Sequence, residues 1–191
     1  MTRRVALVCV AFAVAACGGE SATSVDSGGT IAAPGTTAAP MEAAPTEAAP
    51  SDDDRLPDVD LTSLSSGATS SLAQIEGPAV VNLWATWCAP CRAEIPDFEE
   101  VHQARGHEVR FIGVNVGEDA DDAQAFIDDV GATYDQFADF DGDVATALRA
   151  TAMPVTVVID ADGVITTHHL GPLDQDGLNE AIDEALGITG G

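Results

Sequence analysis

The 191-residue chain has no lysine, and its only cations are seven arginines set against 32 aspartates and glutamates, a net charge of −25. Binding DNA or RNA requires clustered cations at the phosphates, so this balance argues against nucleic-acid partners and against an electrostatic hold on anionic lipid. Long apolar runs are missing too. Residues 5–16 form a run of 12, short of the ~20 that span a bilayer. Cysteine is scarce, with four in all. The four histidines (His102, His107, His168 and His169) lack ligand spacing to any cysteine pair, and no second cysteine pair completes a four-ligand zinc site. What is present, 46% hydrophobic residues, suffices for one packed core.

The N-terminus reads as an export signal. Arg3 and Arg4 precede the apolar run, which ends in Val-Ala-Ala-Cys at residues 14–17. That ending resembles the bacterial lipoprotein lipobox, which makes residues 1–16 a signal peptide and Cys17 the lipidation site. Two acyl chains there would hold the protein firmly at a membrane. An ordinary cleaved signal or an uncleaved anchor would leave the domain on the same side. Residues 17–55 then read as a lipidated cysteine and a disordered tether. They are rich in Ala, Pro, Gly, Ser and Thr, hold no aromatic, and cannot bury enough surface to offset chain entropy.

From residue 56 to 191 the pattern becomes that of a folded domain. Residues 79–86 read as a buried strand, 108–116 as an alternating strand, and 154–160 and 163–169 as a hairpin. Residues 89–106, 119–131, 144–150 and 173–187 read as helices, with Ile95, Phe98 and Val101 on one face of the first. Strands alternating with helices predict an α/β fold, a central mixed sheet flanked by helices on both faces.

The chemistry concentrates at one junction. Cys9 leaves with the signal and Cys17 is the lipid site, so Cys88 and Cys91 stand alone as Cys-x-x-Cys in a chain sent to an oxidising compartment. The buried strand runs into this motif and then into a helix, so Cys88 falls at the helix N-terminus and Cys91 one turn further in. Free N–H groups and the helix dipole stabilise a thiolate there. Pro90 fixes φ in the first turn without wasting a donor. A thiolate at the exposed position attacks a disulfide, and the shielded second cysteine resolves the mixed disulfide. A merely structural disulfide closing so tight a loop would restrain little of the unfolded chain.

The segment VVNLWATWCAPCRAEIP, residues 80–96, resembles the active site of the thioredoxin superfamily, in particular the extracytoplasmic TlpA/ResA/DsbE-like thiol:disulfide oxidoreductases. It departs from their pattern in carrying Leu83 where they carry Phe. The resemblance runs over about residues 57–187. It implies a thioredoxin-like fold, with an inserted helix and strand within residues 117–140. It implies Glu94 as a proton carrier for the two thiols, one turn from Cys91. Asn82 stands where cytoplasmic thioredoxins hold a buried Asp; it cannot take a proton, which leaves that work to Glu94. Met153-Pro154 matches the family's cis-proline, whose preceding backbone pairs with an extended substrate. Trp84 is expected in the core, and Trp87 at the surface as part of the substrate site.

The expected activity is disulfide exchange with protein thiols and disulfides, without a cofactor or metal. The chain would act outside the cytoplasm, tethered to the cell membrane and coupled to a membrane electron donor or acceptor. The alternative is a copper-delivery protein with Cys88 and Cys91 as ligands, although relatives of that kind space the cysteines further apart and add a positioned histidine. A peroxiredoxin-type peroxidase needs Thr three residues before its cysteine, and Thr86 stands two before Cys88. Asp-Phe-Asp-Gly-Asp at 139–143 lacks the EF-hand spacing and reads as a solvated turn. His168 and His169 read as residues of an edge strand.

Overall fold

Twelve short elements follow one another in the computed structural model, which describes residue 51 and residues 54–188. The expected signal peptide, Cys17 and nearly all of the expected tether lie outside the described residues. In chain order the strands and α-helices are β1 (Asp60–Ser63), β2 (Thr69–Ser71), β3 (Ala79–Trp84), α1 (Ala89–Arg105), β4 (Arg110–Val116), α2 (Ala120–Val130), β5 (Asp135–Asp139), α3 (Asp143–Ala147), β6 (Val155–Ile159), β7 (Ile165–Leu170) and α4 (Gln175–Ala185). A 3-10 turn at Leu72–Gln74 completes the set. Arg55 already joins the fold by pairing with Val164 and donating to the Asp162 carbonyl at 2.6 Å.

The seven strands form one mixed sheet in the order β2-β1-β5-β4-β3-β6-β7. β3, β4 and β5 run parallel; β6 and β7 add antiparallel on one side, β1 and β2 on the other. β3 is buried at all six positions, as a central strand covered on both faces must be. Its side chains alternate. Val81 and Leu83 pack with Leu72, Val144 and Leu148 on the face carrying α3 and the 3-10 turn. Val80 packs with Phe98, Leu178 and Ile182 of α1 and α4, and Trp84 with Ile95 and Ile127 of α1 and α2. Period-two alternation thus sends Asn82, between Val81 and Leu83, to the α1 face.

Three strands were not individually foreseen. β1 and β2 are Ser/Thr-rich, with one buried residue apiece, Leu61 and Ser71. β5 completes the inserted helix and strand that the family resemblance implies. α3 ends at Ala147, short of the expected residue 150, because Arg149 turns into positive φ (54°) and the chain leaves for the loop before β6. The expected solvated turn at 139–143 needs correction at its first residue. Asp139 is buried at the end of β5, where Oδ1 accepts the Asp143 N–H (2.9 Å) and Oδ2 the Ala145 N–H (3.1 Å). The cap position of α3 is Gly142, which offers no side-chain acceptor, so the strand aspartate satisfies the helix start instead.

Candidate active site

β3 ends at Trp84, and four residues later Cys88 takes an extended conformation as the N-cap of α1. Its Sγ accepts the Cys91 N–H at 3.3 Å, the place an Asp or Ser oxygen takes in other helices. Cys88 and Cys91 form a disulfide with Cα atoms 5.3 Å apart. Cys91 is fully buried. Cys88 is less open than its sequence position suggests, at 5% exposure. Bonded to the fully buried Cys91, it packs in a cluster with Trp84, Ile95 and Ala123 against which Met153 also rests. It still lines an open groove of about 510 Å³, shared with Trp87, Pro90, Thr151 and Met153. Trp87, at 66% exposure, forms one wall. Trp84 is in the core with no exposure. The Met153–Pro154 bond is cis, and Pro154 is buried at the head of β6.

Glu94 lies one helical turn beyond Cys91 and is buried. Asn82 donates Nδ2–H to its Oε1 at 2.8 Å, and the Leu173 N–H reaches its Oε2 at 3.0 Å. Burial pushes its pKa up to about 7; the bonds from Asn82 and Leu173 pull it back in part, and nearby Asp97 raises it further. A carboxyl group poised near neutrality takes and returns protons at working pH. Asn82 is therefore bonded to the very carboxylate whose task it was expected to increase, and its own Oδ1 has no partner.

The sequence matches the AhpC/TSA family over residues 53–168. The chain belongs to that family. The thiol:disulfide interchange protein HelX of Rhodobacter capsulatus is 35% identical over 111 residues, 58% of this chain and 61% of HelX. The thioredoxin-like protein YneN of Bacillus subtilis is 30% identical over 131 residues, 66% of this chain and 76% of YneN. The solved structure of MTB dsbF, in mixed oxidized and reduced forms, superposes with a TM-score of 0.62 and 27% identity over 68% of this chain and 96% of that one. The resemblance carried by residues 80–96 thus extends to the fold, a thioredoxin-like sheet flanked by helices. The match spans about three-fifths of HelX.

Within this family member, two constellations near the cysteines escaped the sequence reading. Glu118, between β4 and α2, accepts the Thr86 N–H at 2.7 Å, the Thr86 hydroxyl, and an Asn115 Nδ2–H at 2.6 Å. Thr86 and Glu118 are 32 residues apart in sequence, and no periodicity announces the pair. Behind Cys91, the Trp84 indole N–H donates to Gln136 Oε1 at 3.0 Å. Gln136 lies against Gly113, its register partner on β4, where an added Cβ would come within 2.1 Å of Oε1. That glycine did carry a signal, since an isolated Gly inside a strand marks a close approach. His168 and His169 sit on edge strand β7, and His168 Nε2 bonds the Leu148 carbonyl at 2.7 Å. Among the described residues, no three or more His, Cys, Asp or Glu side chains gather as a metal site.

Proposed function

We propose that this chain is a thiol:disulfide oxidoreductase that exchanges disulfides with protein substrates outside the cytoplasm. The observation that carries the reading is the Cys88–Cys91 disulfide at the head of α1, opening on the Trp87–Met153 groove. In the reduced protein the Cys88 thiolate attacks one sulfur of a substrate disulfide, and the other sulfur leaves as a thiol after taking a proton. The mixed disulfide sits in the groove, where the Met153 backbone is available to an extended substrate segment. Glu94 takes the Cys91 proton, and Cys91 attacks Cys88 Sγ. The substrate departs as a dithiol, and the protein holds the Cys88–Cys91 disulfide. Two electrons have passed to the substrate; the same steps in reverse oxidise a substrate dithiol.

The N-terminal residues support the location. A basic start, an apolar run and Val-Ala-Ala-Cys suit export and lipidation at Cys17, followed by the tether. A membrane electron donor or acceptor would complete the cycle. No helix among the described residues is long and apolar enough to cross a membrane. The reading is tested by turnover of insulin disulfides with dithiothreitol as reductant. The wild-type chain accelerates it and Cys88→Ser does not; equal rates for the two would overturn the reading. Acylation is checked on the cell-expressed chain by mass spectrometry of its mature N-terminus.

A further inference from the structure

Exchange chemistry needs Cys88 held at the head of α1, yet the turn that delivers it is short. It runs through Ala85, Thr86 and Trp87, with a backbone bond from the Cys88 N–H to the Ala85 carbonyl at 3.2 Å. A second hold comes from across the sheet. Trp84 and Asn115 are register partners on parallel β3 and β4, so both strands release the chain at the same end of the sheet. There the Glu118 carboxylate gathers the Thr86 N–H and hydroxyl and the side-chain amide of Asn115, which is 1% exposed. One carboxylate thereby fastens the end of β4 to the turn that presents Cys88.

We propose that Glu118 is a positioning residue for the redox pair. By gripping Thr86 it keeps Cys88 as the cap of α1, with the Cys91 N–H aimed at Cys88 Sγ. The inference rests on the disulfide-exchange reading above. Bonds from neutral donors to a carboxylate are shorter and stronger than neutral pairs. The charge of Glu118 also opposes a nearby thiolate, but it is already met by three donors and, being only partly buried, is partly screened by salt. The hold therefore outweighs the repulsion. When Thr86 is released, Cys88 drifts from the aligned N–H groups and its thiolate loses their stabilisation. Glu118→Ala gives up all three bonds. Glu118→Gln weakens the hold without emptying it: the amide oxygen still accepts from the Thr86 and Asn115 N–H groups and the amide nitrogen donates to the Thr86 hydroxyl, but the bonds are neutral. Thr86→Val loses only the hydroxyl.

The test uses the reduced full-length chain at neutral pH. Alkylation of Cys88 by iodoacetamide is followed by peptide mass mapping, and the Cys88–Cys91 pair is equilibrated against glutathione. Glu118→Ala is expected to slow alkylation about three- to tenfold, and to shift the equilibrium toward the protein disulfide by a similar factor, as loss of thiolate requires. Glu118→Gln falls between it and wild type, and Thr86→Val moves the same way by less. A residue that merely stabilised the fold would lower the unfolding midpoint and leave the glutathione equilibrium unmoved. That outcome overturns the proposal, as does faster alkylation, which would mean that charge outweighs the hold. If Glu118→Ala does not fold, the other two variants decide by the same criteria. If wild-type Cys88 alkylates no faster than an unstructured thiol, this inference fails alone; if wild-type and Cys88→Ser chains turn over insulin disulfides equally, the disulfide-exchange reading fails, and this inference with it.

Discussion

Glu94 is a carboxyl group taken out of water, and its pKa of about 7 makes stability depend on pH. Below about pH 4.5 it is neutral in both folded and unfolded chains. Between there and about 7 the folded chain holds a proton that the unfolded chain has released, so its contribution to stability falls as pH rises. Above about 7 the full cost of a buried charge, about 3 kcal/mol, is present. Glu94→Gln removes this dependence. Its amide fits the site because Asn82 Oδ1 has no partner and a turned Asn82 would accept from it. Relative to wild type, the oxidised variant should gain about 3 kcal/mol between pH 4 and pH 8, read as the difference in denaturant unfolding. An equal gap at both pH values would contradict the account. The variant should also slow resolution by Cys91 about a hundredfold near neutral pH, seen as a longer-lived mixed disulfide. Cys88 and Cys91 were legible from their spacing at a strand-to-helix junction, and Glu94 through the family resemblance, one turn beyond Cys91. Glu118 was not, because its partner Thr86 lies on another element and only the fold joins them.

Among the elements, those with strong apolar period could be read. β3, β4, β6, α1, α2 and α4 differ from their expected bounds by a few residues at most. β1 and β2 carry too little buried surface to mark themselves, and they exist by pairing, β1 with β5 through Thr62↔Ala138 and Ser63↔Phe137. The β4–β5 pair gives the sharpest element-scale test. Gly113→Ala puts a methyl onto Gln136 and forces its side chain away, leaving the buried Trp84 N–H without an acceptor. A loss of about 1–3 kcal/mol is expected, read from the urea midpoint by tryptophan fluorescence. An unchanged midpoint would mean that Gln136 is not held as described.

For the whole molecule, charge governs encounter. From residue 51 onward 28 acidic residues face five arginines, a balance of −23. Such a surface draws basic partners and repels acidic ones, and salt weakens both effects. Exchange with a basic disulfide protein should slow as ionic strength rises, while exchange with an acidic one should quicken. Identical salt profiles in stopped-flow rates would contradict this.

The central claim is that Cys88 attacks and Cys91 resolves. Its most direct measurement is to mix reduced Cys91→Ser chain with a disulfide protein, quench in acid and map the adduct by mass spectrometry. The account predicts a stable mixed disulfide on Cys88, absent when Cys88→Ser is used instead. No adduct with Cys91→Ser, or an adduct formed through Cys91 in the Cys88→Ser chain, would contradict it.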